Sequence, residues 1–175
     1  MRIHTESLIR HPQAAVYRAY RDRLPEIAAY IPDVKEIVVH SREDVPGGVK
    51  LHNEWIASRE IPSYARAFLK PEMLRWDDYA DWRDDEHMVR WTLKLRVFTD
   101  NVRCSGTNTF RKIDDGNTAV VLEGDLDIDL KSIPGVPRIL AGGLKPQVEK
   151  FIVSLITPNL ERVNQSLQQF LDEKG

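Results

Sequence analysis

The chain has 175 residues, 42% of them hydrophobic and 30% charged, with 25 Lys plus Arg against 27 Asp plus Glu. A net charge of −2 lacks the basic excess that a nucleic-acid or anionic-membrane surface requires. A single cysteine, Cys104, excludes an intramolecular disulfide framework and a cysteine-based zinc site.

The length fits one domain over residues 1–175, large enough to build a full core without staples. The longest apolar stretches, such as Phe151, Ile152 and Val153, fall far short of the ~20 residues that a membrane span needs. Residues 2–10 alternate polar and apolar, unlike the apolar run of a signal peptide. The expectation is a cytoplasmic protein with no stable membrane insertion.

That alternation puts Ile3, Thr5, Ser7 and Ile9 on one face of a first strand. His11 and Pro12 break it, and Pro12 suits the first turn of a helix carrying Val16, Ala19 and Tyr20. A second short helix follows over residues 26–30. Residues 34–44 and 49–58 read as strands joined by Val45, Pro46, Gly47 and Gly48, which have hairpin-turn chemistry. The second strand directs Leu51, Asn53 and Trp55 to one side. Residues 59–72 are irregular, bounded by Pro62 and Pro71.

Three more strands follow, and then a seventh. Over residues 73–82, Leu74, Trp76, Ala80 and Trp82 share a face with Asp78 as the exception. Val89, Trp91, Leu93, Leu95 and Val97 form the cleanest alternation in the chain. Residues 102–113 direct Cys104, Gly106, Asn108 and Phe110 inward. The turn at Asp114, Asp115, Gly116 and Asn117 leads into a strand with Val120, Leu122, Gly124, Leu126 and Ile128 inside.

Residues 132–144 read as a loop, with Gly142 and Gly143 as a hinge, and Pro146 opens a last helix running to about Asp172. Its apolar residues recur every three or four positions, giving one broad face. Pro158 inside it removes the backbone bond to the Ser154 carbonyl and predicts a bend. A helix of ~26 residues is about 39 Å long. Only the inner face of a curved sheet can cover it.

The order therefore reads as α+β: a curved antiparallel sheet of about seven strands around a long C-terminal helix, with two short helices after the first strand. This pattern resembles the START-like, or helix-grip, superfamily of polyketide cyclases, StAR-related lipid-transfer domains and birch-pollen-allergen-like proteins. The resemblance is carried by Ile9, Arg10, His11 and Pro12 with Val16 and Tyr17, and by Gly106, Thr107, Asn108, Thr109 and Phe110 before the Asp114–Asn117 turn. Pro134 and Gly135, and the run Val148, Glu149, Lys150, Phe151 and Ile152, complete it. It implies a cavity between sheet and helix for a lipid, sterol or polyketide-like molecule.

Four aromatics (Trp55, Trp76, Trp91 and Phe110) fall on inward phases of separate strands, as do the polar residues Asn53, Asp78 and Asn108. Buried polar groups need partners, and ligand pockets pair apolar walls with a few such groups. The expected walls are Trp55, Trp76, Trp91, Leu93, Phe110, Leu122, Phe151 and Leu155. Asn108 and Asp78 would orient a polar end, and the 132–144 loop would act as a mobile gate. No cofactor or metal is required.

Two other classes stay open. A cyclase or dehydratase would use Asp78 as its proton carrier. An interaction module would have its cavity filled. Asp125, Asp127 and Asp129 read as a solvated strand face, because alternate strand residues stand too far apart for one ion. The acids Asp77, Asp78, Asp81, Asp84, Asp85 and Glu86 read as an acidic patch facing solvent. His40 and His52 face each other across the first hairpin, as ordinary histidines or as a two-histidine site. Cys104 has no histidine beside it, and no nucleophile motif occurs.

Overall fold

In the computed structural model, residues 1–63, 66, 69–129 and 138–175 are described. The strands are β1 (Arg2–Ile9), β2 (Val34–Val45), β3 (Gly48–Ala57), β4 (Arg75–Arg83), β5 (Met88–Leu95), β6 (Val102–Lys112) and β7 (Thr118–Ile128). They form one antiparallel sheet in the order β1-β7-β6-β5-β4-β3-β2. Five consecutive hairpins build it, and β1 closes on β7 because the helices after it carry the chain to the far edge.

Each turn follows from local chemistry. Between β2 and β3, Pro46 fixes one dihedral and Gly47 takes φ of +77°, a region closed to most side chains. Before β7, Asp114 Oδ1 accepts from the Gly116 amide at 2.8 Å and from Asn117 Nδ2 at 2.8 Å. Register shifts interrupt β2 between Val34 and Glu36 and between Val39 and Ser41. Bulges of this kind bend and twist a strand.

Helix α1 (Gln13–Asp22) starts one residue after Pro12 and buries Val16, Tyr17, Ala19 and Tyr20. Helix α2 (Leu24–Ile27) continues into a 3-10 turn at Ala28–Tyr30. These short helices pack on the last helix, α3 (Arg138–Lys174). Tyr30 Oη donates to Glu173 at 2.7 Å, and Ser166 Oγ donates to the Tyr30 carbonyl at 2.9 Å.

Helix α3 departs from expectation at its start. It begins at Arg138 rather than Pro146, so Gly142 and Gly143 lie within it rather than in a hinge, and its 37 residues span about 55 Å. Glycine lowers helix propensity by about 1 kcal/mol without forbidding the helix, and a proline removes one bond rather than ending the run. The rest of the expected gate, 132–137 with Pro134 and Gly135, lies outside the described residues. At Pro158 the freed Ser154 carbonyl accepts a hydrogen bond from Arg59 Nη1, so the residues after β3 fill the gap that the proline leaves.

Candidate functional site

A cavity opens between the sheet and the second half of α3. Leu51, Asn53 and Trp55 reach it from β3, and Trp76, Asp78, Ala80 and Trp82 from β4. Val89, Trp91 and Leu93 come from β5, Asn108 from β6, and Tyr20 and Leu24 from the short helices. Helix α3 adds Ile156, Asn159, Leu160 and Val163. Strand period two explains the sheet residues, and helical spacing of three and four explains the others. The cavity volume is about 610 Å³, counted out to the solvent at its mouth, but the space is narrow. Only about 40 Å³ is open to the centre of a water molecule.

Trp55 and Trp76, directly paired across β3 and β4, stack at 5.7 Å with planes 21° apart. Trp91 rests against two glycines. A Cβ on Gly106 would stand 2.5 Å from Trp91 Cζ2, and one on Gly124 would stand 2.8 Å from Cη2. These glycines face each other across β6 and β7. Their missing side chains let the indole settle against the backbone.

Two polar groups of hydrogen bonds run through these rings. Trp91 Nε1 donates to Asn108 Oδ1 at 2.9 Å, and Asn108 Nδ2 donates to Tyr20 Oη at 3.2 Å. Burial, with the Asp78 charge nearby, pushes the Tyr20 phenol well above its ordinary value. In the second group, Asn53 Nδ2 donates to Asp78 Oδ2 at 3.1 Å. Asp78 is 8% exposed, and its burial pushes the carboxyl up to about 6 against the pull of Asn53. The Trp55 indole leans the same way without completing a hydrogen bond. On α3, Asn159 Nδ2 donates to the Leu155 carbonyl at 2.8 Å. Asn53 Oδ1, Asn159 Oδ1, Trp55 Nε1 and Trp82 Nε1 have no protein partner.

Solved structures of similar shape include TTHA0849 from Thermus thermophilus, 23% identical over the whole of both chains with a TM-score of 0.67. The Zhui aromatase/cyclase from Streptomyces sp. R1128 is 13% identical, with 98% of this chain and 95% of that one aligned and a TM-score of 0.62. A truncated norcoclaurine synthase from Thalictrum flavum is 12% identical, with 100% and 94% aligned and a TM-score of 0.60. The chain has the helix-grip fold. No protein-family profile matches it, and no curated protein matches it.

Within this helix-grip frame the expected site residues divide. Trp55, Trp76, Asp78, Trp91, Leu93 and Asn108 converge on the cavity. Phe110 packs into a cluster with Tyr17, Tyr20 and Trp82, at centroid distances of 5.3, 5.7 and 5.8 Å. Leu122 and Leu155 are buried in the core away from the cavity surface. Phe151 borders a separate surface groove with Arg59 and Pro62. Tyr20, Trp82 and Asn159 are wall residues outside the expected set. Asn159 had a signal: it is a polar residue inside the apolar stripe of α3.

The expectation of an acidic patch facing solvent fails at Asp78, which turns inward to the cavity, while Asp77, Asp81, Asp84 and Glu86 are ion-paired on or beside the outer face. His52 Nε2 lies 2.8 Å from Asp77 Oδ1, and His40 Nε2 lies 2.9 Å from Glu54 Oε2. Arg96 bridges Glu54 at 3.1 Å and Asp77 at 3.3 Å. Asp81 pairs with Arg83, Asp84 with Arg21 and Glu86 with Arg90. The His40 and His52 rings are 5.1 Å apart, each turned to its own carboxylate. Among the described residues, no group of three His, Cys, Asp or Glu side chains could hold a metal ion. Cys104 is buried, which pushes its thiol up to about 12.

Proposed function

We propose that the protein binds a flat hydrophobic small molecule between its sheet and α3. The observation that carries this reading is the aromatic slot. Trp55 and Trp76 stack at its side, Trp91 is seated on paired glycines, and polar groups remain among the rings. Ligand pockets start at about 300 Å³. The comparable volume here, about 40 Å³, is far below this, which is what a filled-cavity interaction module would show. A ligand therefore widens the slot as it enters.

The test is native mass spectrometry of the full chain after incubation with palmitate, cholesterol or the planar polyketide emodin. Retention of emodin is expected. Retention of none of the three overturns the proposal.

A second reading, a cyclase or dehydratase acting on a polyketide-like chain, is favoured by one observation. Asp78 is a cavity carboxyl held near 6, close enough to neutrality to take and return a proton. On that reading, Asp78→Asn abolishes turnover of a linear β-polyketone and leaves emodin retention nearly intact. Unchanged turnover in the variant removes the reading.

A further inference from the structure

The two unpartnered amide oxygens of the cavity, those of Asn53 and Asn159, carry more than the presence of a ligand. Asn53 is 1% exposed and Asn159 is 4% exposed, one on the sheet and one on α3. The partner of each side chain fixes its orientation. The Leu155 carbonyl can only accept, so it faces Asn159 Nδ2. Above about pH 6 the Asp78 carboxyl is ionised and also can only accept, so it likewise faces Asn53 Nδ2. Turning either amide over would set oxygen against oxygen. What remains in both cases is an acceptor, Oδ1, with no donor to meet it. A buried unmatched acceptor is costly, and this cavity keeps two of them on facing walls.

Charge narrows the choice further. Among the described residues, no Lys, Arg or His lines the cavity, and its ionisable side chains are Asp78 and Tyr20. A carboxylate or phosphate would be desolvated beside Asp78 with no cation to offset it. The unpartnered indole N–H groups of Trp55 and Trp82 add donors that a hydroxyl oxygen can satisfy.

We infer that the cavity selects a non-anionic aromatic molecule that offers hydrogen-bond donors, as phenol or amine groups, to the carboxamide oxygens of Asn53 and Asn159, one O–H serving one oxygen. This rests on the reading of the cavity as a ligand site. Phenol and amine share the donor, and they differ in charge and in what they offer the indole N–H groups.

Four probes of one outline test it by isothermal titration calorimetry on the full chain: 2-naphthol, 2-(aminomethyl)naphthalene, 2-methoxynaphthalene and 2-naphthoate. The expected result is that naphthol or the amine binds at least about tenfold tighter than the methoxy compound, with naphthoate weakest. Whichever of the two binds tighter identifies the donor. In Asn159→Leu the gap between that donor probe and the methoxy compound falls to about threefold or less. Equal binding of naphthol, amine and methoxynaphthalene by the unaltered protein overturns the inference and leaves the ligand site standing. Naphthoate binding as tightly as naphthol does the same. Binding of none of the four overturns the ligand site together with the inference. The series on the unaltered chain decides the matter even if the variant fails to fold.

Discussion

Asp77 and Asp78 are neighbours in sequence and opposites in chemistry. On the outer face of β4, burial of Asp77 is outweighed by hydrogen bonds from His52 and Arg96 and by the Arg96 charge, which hold its carboxyl below the usual range. On the inner face, burial of Asp78 outweighs the opposing pull of Asn53, the Trp55 indole and the His52 charge, and its carboxyl rises to about 6. The same division runs through β3, where Glu54 is enclosed by His40, Arg75 and Arg96 while Asn53 keeps an unmatched oxygen. One residue of register decides whether a carboxylate is neutralised as part of the scaffold or held ready inside a cavity. Titratable density along the chain marks neither outcome, because both aspartates belong to one acidic run.

The largest expected effect tests the inner side of this contrast. Asp78 binds its proton more tightly in the folded protein than in the unfolded chain, whose value is near 3.8. Ionisation therefore opposes folding: stability is greatest below the unfolded value and declines as pH rises through about 6. The decline amounts to on the order of 3 kcal/mol. Asp78→Asn removes it. Urea denaturation of both proteins between about pH 4 and pH 7 should show the variant gaining on the unaltered protein by that amount as pH rises. Parallel profiles would mean that Asp78 is hydrated, and the distinction between the two faces would fail.

The inner face is also where single carbon atoms matter. Gly124→Ala places a methyl group 2.8 Å from Trp91 Cη2 and 3.0 Å from the Ser105 carbonyl. The backbone cannot retreat, so the indole moves into the cavity and strains its 2.9 Å bond to Asn108. A loss of about 1–3 kcal/mol is expected. A shift in tryptophan emission and weaker binding of emodin should accompany it. The outer-face control is Thr92→Ala, one residue from Trp91 and exposed, which should stay within about 0.5 kcal/mol. Equal losses would show that the sheet does not distinguish its faces in this way.

Which face a residue takes was legible in the sequence, but how deep it lies was not. The alternation of Val89, Trp91, Leu93 and Leu95 put all four inside, and all four are buried. Asn53, Asp78 and Asn108 stood out as polar residues on inward phases, and all three line the cavity. Period two carries no information on where along a strand the helix stands off from the sheet. Phe110 and Leu122 therefore share a face with the cavity residues yet close into the core. The start of α3 was hidden because Gly142, Gly143 and Pro146 are local stop signals that a longer helix absorbs. Pro158 announced a freed carbonyl, but its donor, Arg59, lies 95 residues away in the chain.

The smallest effect belongs to the outer face. Asp77→Asn weakens the contact with His52 at 2.8 Å and removes the ion pair with Arg96 at 3.3 Å. Arg96 retains Glu54 at 3.1 Å, so the network loses one member and keeps its frame. Ion pairs of this kind contribute about 0.2–1 kcal/mol and weaken with salt. The folded-state value of Asp77 is depressed, so its contribution is present above the unfolded value and is lost as pH falls below it. The variant should therefore be slightly less stable than the unaltered protein at neutral pH in low salt, with the gap closing in acid and in high salt. Asp78→Asn should move in the opposite direction with pH and respond little to salt, since its carboxyl is buried. Denaturation midpoints for the two variants, each at two pH values and two salt concentrations, separate these behaviours. If Asp77→Asn and Asp78→Asn shift together, adjacent aspartates on this strand share one environment, and the assignment of chemistry to the inner face alone falls.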